Sequence, residues 1–226
     1  AQMSQVLAIT GRVLPVTSAD VQLEAVFENG ERITGESKIS AFKKEQDCPI
    51  DHVNLIPPRP DALPAALEAI RNADLILLGP GSLYTSVIPN LLVNGVAQAV
   101  AEAEALTMYI CNIMTQEGET EGCTAAGHLE ALLAHGVPGM VDLCLTNSAP
   151  IPPGLVERYQ KEDAAPIVVD RERIGALGVE LVERPLASRD GNYARHDPDL
   201  LAEAVMELYR RRAVRIFRGK SRYIME

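Results

Sequence analysis

The spacing of apolar and polar residues changes near residue 61. Before it, residues 21–27 alternate with period two, and the turn dipeptide Asn29-Gly30, followed by Ile33, predicts a β-hairpin. Residues 53–60 are predicted to form a short strand that ends at its prolines. We therefore expect 12–56 to be a β-hairpin extension, either inserted into the main fold or attached to a sheet edge.

After residue 61, short apolar runs alternate with helical patterns. This predicts an α/β, Rossmann-like fold with a mostly parallel sheet and helices on both faces. Asp61 and Asp197-Pro198 are typical of helix starts. The predicted strands are 75–78, 108–111, 141–145, 166–169 and 179–182, and the predicted helices are 61–70, 90–105, 124–134, 152–162 and 197–212, with the end of a helix at 4–9.

Composition narrows the class of protein. The 226 residues are 47% hydrophobic and 23% charged, and no apolar run approaches the roughly 18 residues of a membrane span. No secretory leader is visible, and the four cysteines form no Cys-x-x-Cys pair, so we expect a cytoplasmic protein without membrane insertion, disulfides or zinc.

Charge is unevenly distributed. The net charge of −10 argues against nucleic-acid binding. Residues 210–222 nevertheless carry seven basic side chains and no acid, and they run into a basic tail over 213–226. This tail is either a solvated end or a contact for an acidic partner, an acidic subunit face or an anionic surface.

The first candidate ligand loop follows the predicted strand 75–78. Gly79 and Gly81 allow a sharp turn and close approach of a ligand, Ser82 and Thr85 carry hydroxyls, and Tyr84 adds a ring and a hydroxyl. A strand that leads through such a loop into a helix start can present backbone N–H groups to a phosphate. The same composition also fits an ordinary turn.

Polar residues also follow the next strand, over 112–120. Asn112 and Thr115 can hold a ribose or a phosphate, and the carboxylates of Glu117 and Glu119 can hold Mg²⁺ or a sugar hydroxyl. The alternative is a helix-entry loop with capping side chains.

Four further residues are candidates near later strand ends. Asn147 can read a base edge or stabilise a turn. Tyr159 can stack on a base, donate to a phosphate or pack in the core, and Arg195 precedes a helix start, where a guanidinium can grip a phosphate. His196 is a candidate general base or a local structural residue.

Several of these strings resemble the bacterial gluconeogenesis factor family, which is CofD-like and belongs with the 2-phospho-L-lactate transferases of deazaflavin cofactor synthesis. The resemblance runs from about residue 3 to about residue 212, with the basic tail outside it. It is carried by residues 11–17, 35–37 and 195–198, and above all by Leu78-Gly-Pro-Gly-Ser-Leu-Tyr-Thr-Ser-Val-Ile-Pro-Asn-Leu-Leu-Val93 and Asn112-Ile-Met-Thr-Gln-Glu-Gly-Glu-Thr120.

The resemblance implies a Rossmann-like CofD-like domain over 1–226 that binds a nucleotide diphosphate compound. In the transferase branch this is a guanosine diphosphate-linked lactyl donor with Mg²⁺. In the gluconeogenesis factor branch, which these strings resemble more, it is a UDP-sugar such as UDP-N-acetylglucosamine, and the protein is linked to cell shape and cell-wall precursor supply during gluconeogenic growth. A homodimer is also expected.

Residue by residue, the resemblance implies that Gly79, Gly81, Ser82 and Thr85 line the phosphate side and that Asn112 and Thr115 border the same cleft. It implies that Tyr159 and Arg195 grip the nucleotide sugar. The family's opening Gly-Gly-Gly-Thr-Gly loop and its Asp-Asp-Gly-Gly segment do not occur in this sequence, so we expect either a fragment of a longer product or a truncated member.

Overall fold

Two sheets form the framework of the residues described by the computed structural model, which are 11–188 and 193–222, with side chains up to residue 212. The first sheet is antiparallel in the order β2-β1-β3, from β1 (Gln22–Phe27), β2 (Arg32–Thr34) and β3 (Ile50–Ile56). Helix α1 (Glu36–Gln46) connects β2 to β3. The predicted hairpin is therefore present, the strand predicted at 53–60 begins at Ile50 and ends at Ile56, and a helix that was not predicted lies between them. The predicted helix end at 4–9 lies outside the described residues.

The second sheet is parallel in the order β4-β5-β6-β7. Its strands are β4 (Leu75–Leu78), β5 (Leu106–Ile110), β6 (Leu143–Asn147) and β7 (Glu180–Arg184). In register, Leu75 lies opposite Leu106, Tyr109 opposite Cys144 and Leu145 opposite Val182. The helices are α2 (Pro64–Arg71), a π-helical turn (Leu83–Val87) that continues into α3 (Ile88–Leu91), α4 (Val96–Glu102), α5 (Ala125–Ala134), α6 (Pro153–Gln160), α7 (Arg171–Ala176) and α8 (Pro198–Arg222).

Both faces of the parallel sheet are covered. Met108 and Ile110 of β5 share a core cluster with Val205 and Leu208 of α8. Tyr109, which lies between Met108 and Ile110 in β5, belongs to a second cluster with residues of α4, α5 and the antiparallel sheet. Because successive side chains of β5 lie on opposite faces of the sheet, the strand contributes to both core clusters. The predicted Rossmann-like α/β fold is confirmed.

Three element predictions are wrong in part. The predicted helix 90–105 is interrupted at Gly95, which has a φ of +83° and separates α3 from α4. The predicted strand 166–169 is irregular: Pro166 forms an isolated bridge with Met114, so this segment pairs with the polar loop and not with the sheet. Helix α2 begins at Pro64, after Leu63 as its N-cap, and Asp61 instead bridges to Asn94.

The start of the basic segment is folded onto the rest of the chain. Helix α8 continues to Arg222, and the Nη2 of Arg212 lies 3.1 Å from a carboxylate oxygen of Asp142. Arg211 pairs with Glu207, which lies one helical turn earlier in α8. Within the described ranges, no helix combines the length and the apolar character that crossing a membrane requires.

Candidate functional site at the carboxyl ends of the parallel strands

The glycine loop after β4 is held against the end of β5. Gly79 has a φ of +87°, and a Cβ placed there would lie 3.0 Å from the carbonyl oxygen of Ile110, so both conformation and space require glycine. The Asn112 amide donates to the carbonyl of Gly81 at 2.9 Å and accepts from its N–H at 3.4 Å. The structure thus brings these three predicted residues together, and it uses the Asn112 side chain to shape the loop.

A protein carboxylate occupies the helix start that follows this loop. Oε1 of Glu119 accepts the backbone N–H groups of Tyr84 and Thr85 at 2.9 and 2.8 Å. Ser82 Oγ donates to Gln116 Oε1 at 2.7 Å. The loop leads into a helix start whose backbone N–H groups bind an acceptor, and phosphate binding there stays a prediction. In this structure the anion belongs to the chain itself, so a phosphate would have to use other donors of the loop or displace Glu119.

Glu119 is unusually placed for a carboxylate. Its residue is 3% exposed, and Oε2 is buried with no hydrogen-bond partner among the described residues. Burial raises the pKa of this carboxyl, and the hydrogen bonds from Thr85 and Tyr84 oppose that shift. The Tyr84 ring is buried, and its hydroxyl lies 3.5 Å from the carbonyl of Ile50, so this predicted ligand residue contacts the antiparallel sheet.

Helix α1 supports the polar loop 112–121 from outside the parallel sheet. Lys43, only 5% exposed, places Nζ 3.4 Å from Glu121, and Lys44 lies 2.8 Å from Glu117. Gly118 has a φ of +76°, and a Cβ there would lie 2.9 Å from the carbonyl of Ser40. The sequence pattern did not predict α1, so it could not show that this loop is braced by it.

Two predicted binding residues use their side chains within the fold. Thr115 Oγ1 accepts the N–H of Ala165 at 2.9 Å, while the Thr115 N–H donates to the carbonyl of Ala165 at 2.8 Å. Asn147 Oδ1 accepts three backbone N–H groups at 2.9–3.1 Å, and its Nδ2 donates to Ala149 at 2.8 Å. Of the two interpretations of Asn147, the structure shows the turn-stabilising one.

A cluster of arginine and tyrosine side chains lies where α6 meets the segment before α8. Tyr159 accepts the N–H of Ala194 at 3.3 Å. The Arg195 guanidinium carbon lies 4.9 Å from the ring centroid of Tyr193, which is 54% exposed. Arg158 lies 5.0 Å from the same ring and 5.8 Å from that of Tyr159. Sequence reasoning found Tyr159 and Arg195 and missed Arg158 and Tyr193, although adjacent Arg-Tyr residues were the available signal.

A small recess lies at the carboxyl ends of β5 and β6. It has a volume of about 170 Å³ and is lined by Asn112 and Thr146, among others. Ile113 and Ile151 line the recess and also pack with Tyr159 in one apolar cluster. Since ligand pockets usually measure about 300–1,000 Å³, the recess suits a ring-sized group and not a whole nucleotide sugar. A larger groove, of about 1480 Å³, lies elsewhere between β7 and α8.

Two buried polar atoms at these strand ends have no hydrogen-bond partner among the described residues. One is Thr146 Oγ1, at the recess, and the other is His196 Nε2. Burial lowers the pKa of His196, and a hydrogen bond with the Cys111 backbone opposes the shift. Buried polar groups are normally satisfied, so both atoms are candidates for ligand contact. No three His, Cys, Asp or Glu side chains of the described chain converge in a way that could hold a metal ion.

Comparison with known proteins agrees with this architecture. Residues 1–187 match the family described as "2-phospho-L-lactate transferase CofD". The chain is 41% identical over 207 residues to the gluconeogenesis factor of Bacillus subtilis and 42% identical over 206 residues to that of Halalkalibacterium halodurans, covering 92% and 91% of this chain. A crystal structure of a Bacillus halodurans protein superposes with a TM-score of 0.85 at 41% identity, covering 91% of this chain and 65% of that one.

The match concerns only part of these relatives. The chain spans 64% of the Bacillus subtilis protein and 63% of the Halalkalibacterium halodurans protein. Family membership does not depend on that share, because the family match extends over most of the present chain. With its parallel sheet, its glycine loop and these similarities, the chain belongs to the CofD family and is similar to its gluconeogenesis factor members.

Proposed function

We propose that this chain is a nucleotide-sugar-binding regulatory protein of the gluconeogenesis factor type. Its ligand would be UDP-N-acetylglucosamine or a compound of the same class. Its role would be in the cytoplasm, linked to cell shape and cell-wall precursor metabolism during growth on gluconeogenic carbon. Relatives that carry the name gluconeogenesis factor support the link to gluconeogenesis.

One observation carries the binding part of the proposal. Tyr159 packs on the residues that line the recess, and Arg195 lies one residue after Ala194, to which Tyr159 is hydrogen-bonded. No described carboxylate forms an ion pair with Arg195, although the chain has a net charge of −10. A guanidinium close to Tyr159 in sequence and space, and without an ion-pair partner among the described residues, suits an anionic ligand with a ring.

Calorimetric titration of UDP-N-acetylglucosamine into the chain and into Arg195→Ala tests the proposal. Hydrogen bonds to charged groups contribute about 1.5–3 kcal/mol, so the variant should bind roughly 10- to 150-fold more weakly. Arg71→Ala, at the exposed end of α2, is the matched control and should bind as the wild type does. Absence of binding by the folded wild type, or equal binding by Arg195→Ala, would refute the proposal.

The family description favours a second candidate, a Mg²⁺-dependent phosphotransferase of the 2-phospho-L-lactate transferase type. The described residues offer no converging group of metal ligands, and we derive no step through Mg²⁺. The test is incubation with a guanosine diphosphate-linked lactyl donor, Mg²⁺ and a deazaflavin acceptor. Product formation would support the transferase, and its absence at saturating donor would favour the binding protein. The predicted homodimer is tested separately by sedimentation.

A further inference from the structure

Arg158 of α6 is a second arginine in the cluster of arginine and tyrosine side chains. Its Nη2 is buried and has no hydrogen-bond partner among the described residues. A guanidinium is charged at all physiological pH values and has five N–H donors, so an unsatisfied buried donor is unfavourable. The rings of Tyr193 and Tyr159 offset part of this cost, because a cation is attracted to the face of an aromatic ring.

Arg158 also lacks an ion-pair partner within the part of the chain that the structure describes. Arg158 and Arg195 both lie about 5 Å from the Tyr193 ring, and neither forms an ion pair with a described residue. Other arginines of the described chain do find carboxylates, as Arg171 does with Glu183 and Arg173 does with Glu130. Two cations that share one ring repel one another, so a bound anion would stabilise the pair.

We infer that Arg158 is a second anion-binding side chain of this site. With Arg195 it holds the two phosphates of a nucleoside diphosphate, and Tyr193 positions both guanidinium groups. The identity of the ligand rests on the proposed function. The inference adds Arg158, from α6, as a residue that grips the diphosphate part of the ligand, and Tyr193, from the segment before α8, as the residue that positions it.

The test compares two ligands that differ by one phosphate. UDP and UMP are titrated into the wild type and into Arg158→Gln, which keeps a polar side chain of similar length without the charge. The variant should lose about 10- to 100-fold in affinity for UDP, as expected for a charge-assisted hydrogen bond, and much less for UMP. Arg71→Gln is the control and should change neither affinity.

A role for Arg158 in folding alone would give a different result. It would weaken UDP and UMP binding by the same factor, and that outcome would overturn the inference. Equal affinities of Arg158→Gln and the wild type would overturn it too, while leaving the proposed function intact. Thermal unfolding of each variant establishes that the protein compared is folded. Tyr193→Ala, which removes the shared ring, should also reduce the preference for UDP.

Failure of the proposed function can be separated from failure of this inference. If the wild type binds neither UDP nor UMP, inorganic pyrophosphate is titrated into the wild type and Arg158→Gln. Pyrophosphate binding that is lost in the variant would support the inference although the nucleotide assignment had failed. No pyrophosphate binding to the wild type would overturn the inference, and the titration of UDP-N-acetylglucosamine decides the proposed function separately.

Discussion

Replacing Glu119 with alanine should destabilise the chain and loosen the glycine loop. One carboxylate oxygen accepts the backbone N–H groups of both Tyr84 and Thr85 at the start of the helical stretch 83–91. Alanine leaves these two donors without an acceptor. Tyr84 is buried, so water cannot readily replace the lost bond there, whereas Thr85 is only partly buried.

The magnitude follows from the two donors. Each buried donor left unsatisfied costs about 1–3 kcal/mol, with the lower end appropriate for Thr85. The two donors together give about 2–4 kcal/mol, and removal of a buried carboxylate with one unpartnered oxygen offsets part of this, so we expect a net loss of about 1–3 kcal/mol in the free energy of unfolding. For a chain of this size, a loss of about 3 kcal/mol lowers Tm by roughly 6–12 °C.

Urea unfolding and thermal unfolding of wild type, Glu119→Ala and Glu119→Gln provide the measurement. Glutamine keeps an acceptor for the two N–H groups and should lose less than alanine. Glu68→Ala, at an exposed position of α2, is the matched control and should stay within about 0.5 kcal/mol of the wild type. A Glu119→Ala variant as stable as this control would refute the reasoning.

The pH dependence gives a second check on Glu119. Burial raises the pKa of its carboxyl, so between the ordinary and the raised value the folded state holds a proton that the unfolded state has released. Its contribution to stability is therefore fully present below the ordinary pKa and is lost as pH rises through the raised pKa. Relative to Glu119→Gln, the wild type should lose stability with rising pH across this window; a difference that is flat or of opposite sign contradicts the assignment.

Four further substitutions have clear expectations. Gly79→Ala should destabilise the chain by about 1–3 kcal/mol, because of the positive φ of Gly79 and the nearby carbonyl. Gly175→Ala, in α7 with open space around it, should stabilise the chain by about 0.5–1 kcal/mol. Equal effects of the two substitutions in thermal unfolding would contradict this. Asn147→Ala removes four hydrogen bonds and should cost about 2–4 kcal/mol in urea unfolding, and a loss below about 0.5 kcal/mol would contradict the bracing role. Burial lowers the pKa of His128, so as pH falls the unfolded state takes up a proton before the folded state does. The wild type should therefore lose stability as pH falls from about 7 to 5. His128→Leu should flatten this dependence of stability on pH, and an unchanged slope would refute the prediction.

Local sequence signals predicted the parallel sheet well. Strands β4 to β7 are apolar runs bounded by turn residues, and each begins or ends within two residues of its predicted position. The start of α8 was equally legible, since Asp197 Oδ1 accepts the N–H groups of Asp199 and Leu200 at 3.0 and 3.1 Å. Where a few neighbouring residues determine an element, the sequence pattern was enough to predict it.

The remainder depends on contacts between distant residues. Helix α1 has no strong apolar stripe, and its buried Lys43 is stabilised by Glu121, 78 positions along the chain. Likewise, nothing local to Tyr84 or Thr85 indicates that Glu119 occupies their N–H groups, and nothing local to Arg158 indicates that it shares a ring with Arg195. The predicted ligand loops were located correctly in the fold, while their internal bonding could not be read from spacing.

The bracing of the polar loop by α1 has a consequence for cooperativity. Glu119 is flanked by Gly118, which touches Ser40, and its N–H donates to Glu121, which pairs with Lys43. Any displacement of α1 is therefore transmitted to the carboxylate that holds the helix start after β4. The two sheets should therefore open together. Hydrogen exchange at the amides of Tyr84 and Thr85 would then report on whether α1 is in place, although neither residue belongs to α1.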